Sequence, residues 1–210
     1  MTKITIIGGT GFTGDALVRE AASRGLEVTS ISRTLPAEPL AGVTYVQSTV
    51  ADAAIDGADV IVGAVSPRGD TAGALLPAYR ELAAKADAAN ARLIIVGGFS
   101  SLRPAAGAPR FAEGDGIPAA FAAEALEMNA VLTALGETPP SLDWVFVSPA
   151  QSYGAYAPAT TARGSYRVGG DVAAFAEDGT STISGPDFAL AIIDEVVTPA
   201  HHRAHISVTD

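Results

Sequence analysis

Residues Met1 to Asp15 read M-T-K-I-T-I-I-G-G-T-G-F-T-G-D. Ile4, Ile6 and Ile7 make a short β-branched run of the kind a buried strand requires. Gly8, Gly9, Gly11 and Gly14 follow at once, and Ala16, Leu17 and Val18 then open a helical pattern. A strand, a glycine-rich turn and a helix in that order form the first half of a dinucleotide-binding βαβ unit. In such a unit one glycine lets the chain turn sharply and a second lets the backbone approach a pyrophosphate. The third, here Gly14, lets the helix pack close to the strand. The free N–H groups at the helix start then point at the phosphates, where the helix dipole favours negative charge. Glycines at this spacing also mark ordinary turns. It is the placement of Gly9-x-Gly11-x-x-Gly14 between strand and helix that selects the phosphate-binding reading.

The rest of the composition narrows what this loop can serve. At 210 residues, 48% of them hydrophobic, the chain is long enough for one domain with a large core and is no disordered segment. No apolar run approaches the roughly 20 residues that span a bilayer. The short apolar start ends in glycines and lacks signal-peptide anatomy, so a cytoplasmic location is expected. Cysteine is absent, which excludes disulfide and thiol chemistry. The net charge of −10 argues against nucleic acid and anionic membranes as partners. The expected partner is a small-molecule acceptor, with the chain itself a monomer or weak homodimer. Lys3 and Lys85 are the only lysines, so arginines carry nearly all the positive charge. His201, His202 and His205 crowd together without a carboxylate pattern around them, which reads as a solvated surface turn and not a metal site.

Taken in order, the chain predicts a helix over about Phe12 to Ser23 with Gly25 as its left-handed stop. A strand Glu27 to Ile31 follows, leading to Ser32 and Arg33. An acidic residue at this strand end suits the ribose hydroxyls of NAD, whereas an arginine suits the 2′-phosphate of NADP. Arg33 therefore points to NADP(H) over NAD(H), the alternative being a solvated strand end. Val43 to Val46 is a third strand, and Ser48, Thr49 and Val50 after it are expected to face the adenine. The continuous apolar run Ala58 to Val65 reads as a strand buried on both faces, ending at Ala64 and Val65 beside the ligand crevice. A long helix is expected over Ala72 to Asn90. A fifth strand, Leu93 to Val96, leaves toward the cofactor through Gly97 and Gly98. Leu102 to Gly116, with Pro104 and Pro109, is long enough to be a lid or binding loop. A helix from about Pro118 to Leu135 precedes a sixth strand, Leu142 to Val147, in which Trp144 reads as core. After Ser148-Pro149-Ala150 the texture becomes irregular, and residues about 151–185 are expected to form a small lobe over the site. Ser184-Gly185-Pro186-Asp187 starts a last helix to about Val197, with a short strand near His205 to Val208. The fold class is α/β, a Rossmann-type doubly wound parallel sheet with a small irregular C-terminal lobe in one NAD(P)-binding domain over 1–210.

With these pieces placed, the chain resembles the atypical short-chain dehydrogenases/reductases. More closely, it resembles the compact NAD(P)H-binding proteins grouped as NADH-flavin reductases, relatives of the NmrA-like and biliverdin reductase B-like proteins. The resemblance rests on Gly8 to Gly14, Arg92 to Leu102 (R-L-I-I-V-G-G-F-S-S-L), Leu142 to Ala150 (L-D-W-V-F-V-S-P-A), Tyr166 to Asp171 (Y-R-V-G-G-D) and Asp187-Phe188-Ala189, and so spans nearly the whole chain. It implies a Rossmann fold, a bound nicotinamide cofactor and a substrate cleft beneath the C-terminal lobe. The expected cofactor residues are Gly8, Thr10, Gly11, Phe12, Thr13, Gly14, Ser32, Arg33, Thr49, Val50, Ala64, Val65, Gly97, Gly98 and Ser148. One departure matters. Ordinary short-chain reductases carry a Tyr-x-x-x-Lys pair on the helix after the fifth strand, where this chain has P-A-A-F-A-A-E-A-L-E-M from Pro118 to Met128. Carbonyl–alcohol chemistry thus lacks its acid, whereas a flavin (FMN or FAD as substrate) or a quinone accepts hydride with less need of one. Ser100 and Tyr153 are the candidates for polar help beside the nicotinamide, each with an alternative reading as a satisfied loop residue. The alternative function is a non-catalytic NADP(H)-binding sensor of NmrA-like type. A methyltransferase is disfavoured, since S-adenosylmethionine wants a carboxylate where Arg33 stands.

Overall fold

The computed structural model of the chain describes residues 1–157 and 161–210. Its centre is an eight-stranded sheet in the order β3-β2-β1-β4-β5-β6-β8-β7. The strands are β1 (Lys3–Ile7), β2 (Glu27–Ser32), β3 (Val43–Gln47), β4 (Val60–Gly63), β5 (Arg92–Val96), β6 (Trp144–Pro149), β7 (Arg167–Gly169) and β8 (Ala204–Thr209). Every neighbouring pair is parallel except β7 with β8. The helices are α1 (Phe12–Ser23), α2 (Leu75–Ala88), α3 (Ala119–Gly136) and α4 (Gly185–Val197).

Alternation along the strands divides the core into two layers. Ile4 and Ile6 of β1, with Val62, Ile94, Val145 and Val147, pack on one side against Leu17 and Val18 of α1 and Phe188 and Ile192 of α4. Ile7, Ile61, Leu93, Ile95 and Phe146 pack on the other side against Tyr79 and Leu82 of α2 and Val131 and Leu135 of α3. Strands covered on both faces need no polar side, which is why these segments read as unbroken apolar runs.

Several boundaries differ from the sequence reading. β4 is limited to Val60–Gly63, shorter than Ala58 to Val65. α2 starts at Leu75 and not at Ala72, because Gly69–Thr71 forms a 3₁₀ turn and Gly73 sits at φ 76°, outside helical space. β6 runs from Trp144 to Pro149, two residues later than expected at each end, and so takes Ser148 into the strand. The region after it holds one short strand, β7, and the isolated bridges Ser152–Thr182 and Arg103–Val172. Pro158, Ala159 and Thr160 of the expected lobe lie outside the described residues. Among the described residues no helix is long and apolar enough to cross a membrane.

Candidate functional site

Chain order reverses between β1 and β4: β2 and β3 lie to one side of β1, β5 and β6 beyond β4. In an open parallel sheet, a crevice forms at such a point beyond the carboxyl ends of the strands. The glycine loop between β1 and α1 stands there.

The contacts of each glycine explain its presence. Gly8 has φ 90°, and a Cβ on it would lie 2.6 Å from the Ala64 carbonyl oxygen. A Cβ on Gly9 would lie 2.1 Å from Ser30 Oγ, and one on Gly14 would lie 2.0 Å from the Gly8 carbonyl oxygen. These three glycines close the loop onto its own strands and helix. Gly11 differs: a Cβ there would meet only the Gly8 carbonyl oxygen, at 3.3 Å, and the residue is exposed. Gly11 is also the N-cap of α1, with no side chain to cap the helix, and the first bond of that end runs from Asp15 N–H to Gly11 O at 2.8 Å. Phe12 and Thr13 therefore present backbone N–H groups without a protein acceptor among the described residues, the arrangement that holds a phosphate. A pyrophosphate fits this cradle: the backbone is open at Gly11, where it would approach, and closed at Gly8, Gly9 and Gly14.

Around the loop, Thr10 N–H donates to Ser32 Oγ (3.0 Å), and Ser32 passes its proton to the Ile31 carbonyl oxygen (2.8 Å). Ser32 is buried and shapes the loop from behind. Arg33 stands at the tip of β2, its side chain 56% exposed, with Nη1 3.3 Å from the almost fully exposed Asp70. Thr49 spends its hydroxyl on Asp52, donating at 2.7 Å and accepting from its N–H at 3.2 Å. Val50 and Val65 pack partly exposed on the core layer of α2. Ala64 N–H is taken by the Ile7 carbonyl oxygen at 2.8 Å, which fixes β4's exit against the loop.

On the far side of the crevice, Gly97 and Gly98 separate in role as Gly8 and Gly11 do. A Cβ on Gly97 would lie 2.0 Å from the Phe146 ring, while one on Gly98 would meet nothing within 4 Å. Backbone is thus bared at Gly98. Ser100 follows on the 3₁₀ turn Phe99–Ser101, partly exposed and with no side-chain hydrogen bond among the described residues, so its hydroxyl is available.

The structure places Ser148, Tyr153 and the three histidines in distinct surroundings. Ser148 is fully buried and donates its hydroxyl to the Gly98 carbonyl oxygen at 2.8 Å, so its side chain supports the turn. Tyr153 is only 8% exposed: its ring lies edge-on to Phe12 (5.5 Å) and tilted against Phe188 (4.7 Å), and its hydroxyl is 2.8 Å from Thr13 Oγ1. Burial raises its pKa, the Thr13 bond opposing. Tyr153 thus sits as a satisfied residue that braces the phosphate loop. The histidines do not form one surface turn. His202 is exposed, and His201 Nδ1 lies 2.8 Å from buried Glu195, but His205 stands inside β8 beside Ser148 and Phe146.

Aromatic rings rim the crevice. Phe99 stacks on Phe111 (5.0 Å) and meets Phe175 edge-on (6.1 Å), which joins the loop after β5 to the lobe. The joint is reinforced by Arg103 N–H to the Asp171 carbonyl oxygen (2.8 Å) and Ala173 N–H to the Arg103 carbonyl oxygen (2.9 Å). Across from it, Tyr156 stacks on Phe121 of α3 (5.9 Å) beneath the Arg68 guanidinium (5.2 Å). The sequence reading named neither Phe111 nor Phe175, because single aromatics in irregular segments carry no periodic signal.

Loop, switch point and strand order define a Rossmann-type dinucleotide-binding protein. The chain belongs to the NAD(P)H-binding family, whose model matches residues 8–198. It is 31% identical to YwnB, an uncharacterized protein of Bacillus subtilis, over 98% of this chain and 97% of the relative. Among solved structures it is similar to a candidate NADH-flavin reductase of Streptococcus pneumoniae (26% identity, TM-score 0.85, all of both chains). It is equally close in fold to a candidate epimerase of Bacteroides thetaiotaomicron (29% identity, TM-score 0.85, 99% of this chain and 96% of the other). The family and these neighbours place the protein among the NAD(P)H-binding chains of the atypical short-chain dehydrogenase/reductase class.

Proposed function

We propose that the protein is an NADPH-dependent oxidoreductase that transfers hydride to a flavin, quinone or similarly flat acceptor. The observation that carries this reading is the pairing of two bared backbone surfaces across one crevice, the uncapped start of α1 at Gly11 and the open turn at Gly98. The N–H groups of Phe12 and Thr13 hold the pyrophosphate, and Tyr153 keeps Thr13 in place from behind. Arg33, with only an exposed carboxylate as partner, receives the 2′-phosphate. When bound, the reduced nicotinamide supplies a hydride from its C4 position. The open turn at Gly98 would leave room for the ring, and Phe99, Phe111 and Phe175 would offer a flat acceptor an apolar rim that excludes water. Ser100 donates a hydrogen bond to a polar edge of the acceptor. α3 carries neither tyrosine nor lysine, so the acceptor's proton comes from water, which suits an electron-poor ring and not a ketone.

A second reading, an NADP(H) sensor without turnover, is favoured by the same lack of an acid on α3 and by the engagement of the Tyr153 hydroxyl with Thr13. NADPH consumption by the purified protein, with and without FMN, separates the two. Saturable, FMN-dependent oxidation is expected. Tight binding by cofactor fluorescence, with no oxidation in the presence of FMN or a quinone, would replace the reductase by the sensor.

A further inference from the structure

Beneath the Gly97–Gly98 turn, polar side chains from three separate segments form one directed chain. Arginine can only donate, so Arg110 Nη1 gives its proton to His205 Nδ1 at 3.0 Å. That leaves the ring's proton on Nε2, which donates to Ser148 Oγ at 2.9 Å. Ser148 passes its single hydroxyl proton to the Gly98 carbonyl oxygen at 2.8 Å. The outer end is anchored in the loop and lobe: Arg110 also donates to the Ser101 carbonyl oxygen and lies 3.8 Å from Asp171, whose carboxylate takes Arg103 Nε at 2.8 Å. The His205 ring stands edge-on to Phe146 at 5.2 Å, against the same ring that forbids a side chain at Gly97.

We propose that His205 is a positioning residue that sets the Gly97–Gly98 turn through Ser148 and, through Arg110, couples that turn to the loop and lobe around the acceptor. The proposal rests on the reading of the crevice as a nicotinamide site. His205 and Ser148 each have one donor and one acceptor in use, so the ring cannot rotate or change tautomer without breaking a bond at one end. A second proton on the ring would face the Arg110 guanidinium. Burial, with Arg110 and Arg103 nearby and Asp171 opposing, accordingly holds the imidazole pKa down at about 4. The ring stays neutral and the chain keeps its direction throughout the neutral range. A carbonyl held from below by serine alone would leave the turn independent of the loop. The histidine makes them one unit, so that ordering the loop over an acceptor also fixes the backbone facing the nicotinamide.

The test uses His205→Phe, which keeps ring volume and removes both bonds, and His205→Gln, which restores one donor and one acceptor. Hydrogen exchange on the free protein reads the coupling without any cofactor. In His205→Phe, peptides covering 97–113 are expected to exchange about tenfold faster while those covering β1 and α1 do not change. His205→Gln should restore most of the protection. Binding then reads the consequence: NADPH should weaken by about tenfold, whereas 2′,5′-ADP, which lacks the nicotinamide, should bind as it does to the parent protein. Unchanged exchange over 97–113, or equal loss of protection across the sheet, would overturn the coupling. Equal weakening of NADPH and 2′,5′-ADP would overturn the positioning role. Failure of the parent protein to bind either ligand would instead remove the nicotinamide reading, and the exchange result would stand apart from it.

Discussion

Two helix starts stand side by side at the carboxyl edge of the sheet, and they are built in opposite ways. A Cβ on Gly185, the first residue of α4, would lie 3.2 Å from the Phe12 ring, the first residue of α1. α4 is closed. Its N-cap Ser184 accepts from Asp187 N–H at 3.0 Å and donates to the Asp187 carboxylate at 2.7 Å. That carboxylate also takes the N–H groups of Arg163 and Gly164, each at 2.8 Å, and is buried. α1 is open. Its cap is a glycine, and its first-turn carboxylate, Asp15, turns outward to Arg19 at 2.7 Å. The protein supplies its own anion to one helix dipole and leaves the neighbouring one for a ligand. On the proposed function the closed end serves stability and the open end binding, and substitutions at the two should separate cleanly.

The largest effect is expected where the open end depends on close packing. In Gly14→Ala the new Cβ would lie 2.0 Å from the Gly8 carbonyl oxygen and 2.8 Å from Gly9 Cα, both backbone atoms with no room to retreat. We expect a loss of roughly 3 kcal/mol or more, seen as a collapse of soluble yield and a large fall in melting temperature. Gly11→Val, three residues away, should fold, since its nearest neighbour is 3.3 Å off and its φ of −77° is ordinary. It should nevertheless lose cofactor binding, because the side chain fills the approach to the phosphates. A folded Gly14→Ala that melts like the parent protein would erase the distinction between the closing glycines and Gly11.

Next comes the closed end. Asp187→Ala strips the N–H groups of Arg163 and Gly164 of their acceptor and removes the carboxylate from the start of α4, leaving the Ser184 cap on the backbone N–H in place, at a cost of about 2–4 kcal/mol. Once corrected for the unfolded fraction, cofactor affinity should stay within about twofold, since α1 keeps its own loop. A tenfold loss of affinity in the folded fraction would show that the two helix starts are one site.

How much of this contrast was readable from the chain is itself instructive. Both ends are local: Gly9 to Gly14 lies between an isoleucine run and a helical pattern, and Ser184 to Asp187 carries its own cap chemistry. Strand–turn–helix order likewise led to the parallel sheet, because each βα step is a short-range pattern. What escaped were contacts between segments far apart in sequence. Tyr153 meets Thr13 across 140 positions and His205 meets Ser148 across 57, and no spacing rule encodes either pair. His205 was grouped with His201 and His202 by proximity, although its alternation with Ile206 and Ser207 already marked a strand. Asp187 reads from the sequence as part of a cap and of the family motif Asp187-Phe188-Ala189. Its two further donors come from Arg163 and Gly164 in an irregular segment, where nothing periodic announces them.

A smaller, graded effect is expected from pH. The folded pKa of His205 lies at about 4, below its ordinary 6.5, so the folded state disfavours a proton that the unfolded chain takes up. The corresponding stability is fully present above pH 6.5 and is lost as the pH falls toward 4, on the order of 1–2 kcal/mol after allowance for partial exposure. The Asp187 carboxyl is likewise held down. Burial opposes this, but the Ser184 hydroxyl and the Arg163 and Gly164 N–H groups outweigh it. Its contribution is present above its ordinary pKa of 3.8 and disappears only as the pH falls below that value. Denaturant melts across this range should show two stages, and His205→Gln should flatten the upper one alone. A single stage below pH 4 in the parent protein would mean that burial and the arginines do not hold the His205 pKa down.

The smallest effect on the fold is expected at Arg33, and for that reason it is the sharpest probe of the open end. Its partner Asp70 is 95% exposed and 3.3 Å away, so the pair contributes little to stability in water. Arg33→Asp should therefore melt within about 0.5 kcal/mol of the parent protein. The same change places a carboxylate where the 2′-phosphate would sit, beside Asp70, and exchanges attraction for repulsion. NADPH affinity should fall by about 30-fold or more while NADH is held within about threefold, since the phosphate loop that both share lies at Gly8 to Gly14 and is untouched. Equal weakening of the two cofactors would mean that Arg33 acts on the loop as a whole. No change in either would leave the guanidinium as the solvated end of β2 and remove the ground for the proposed preference for NADPH.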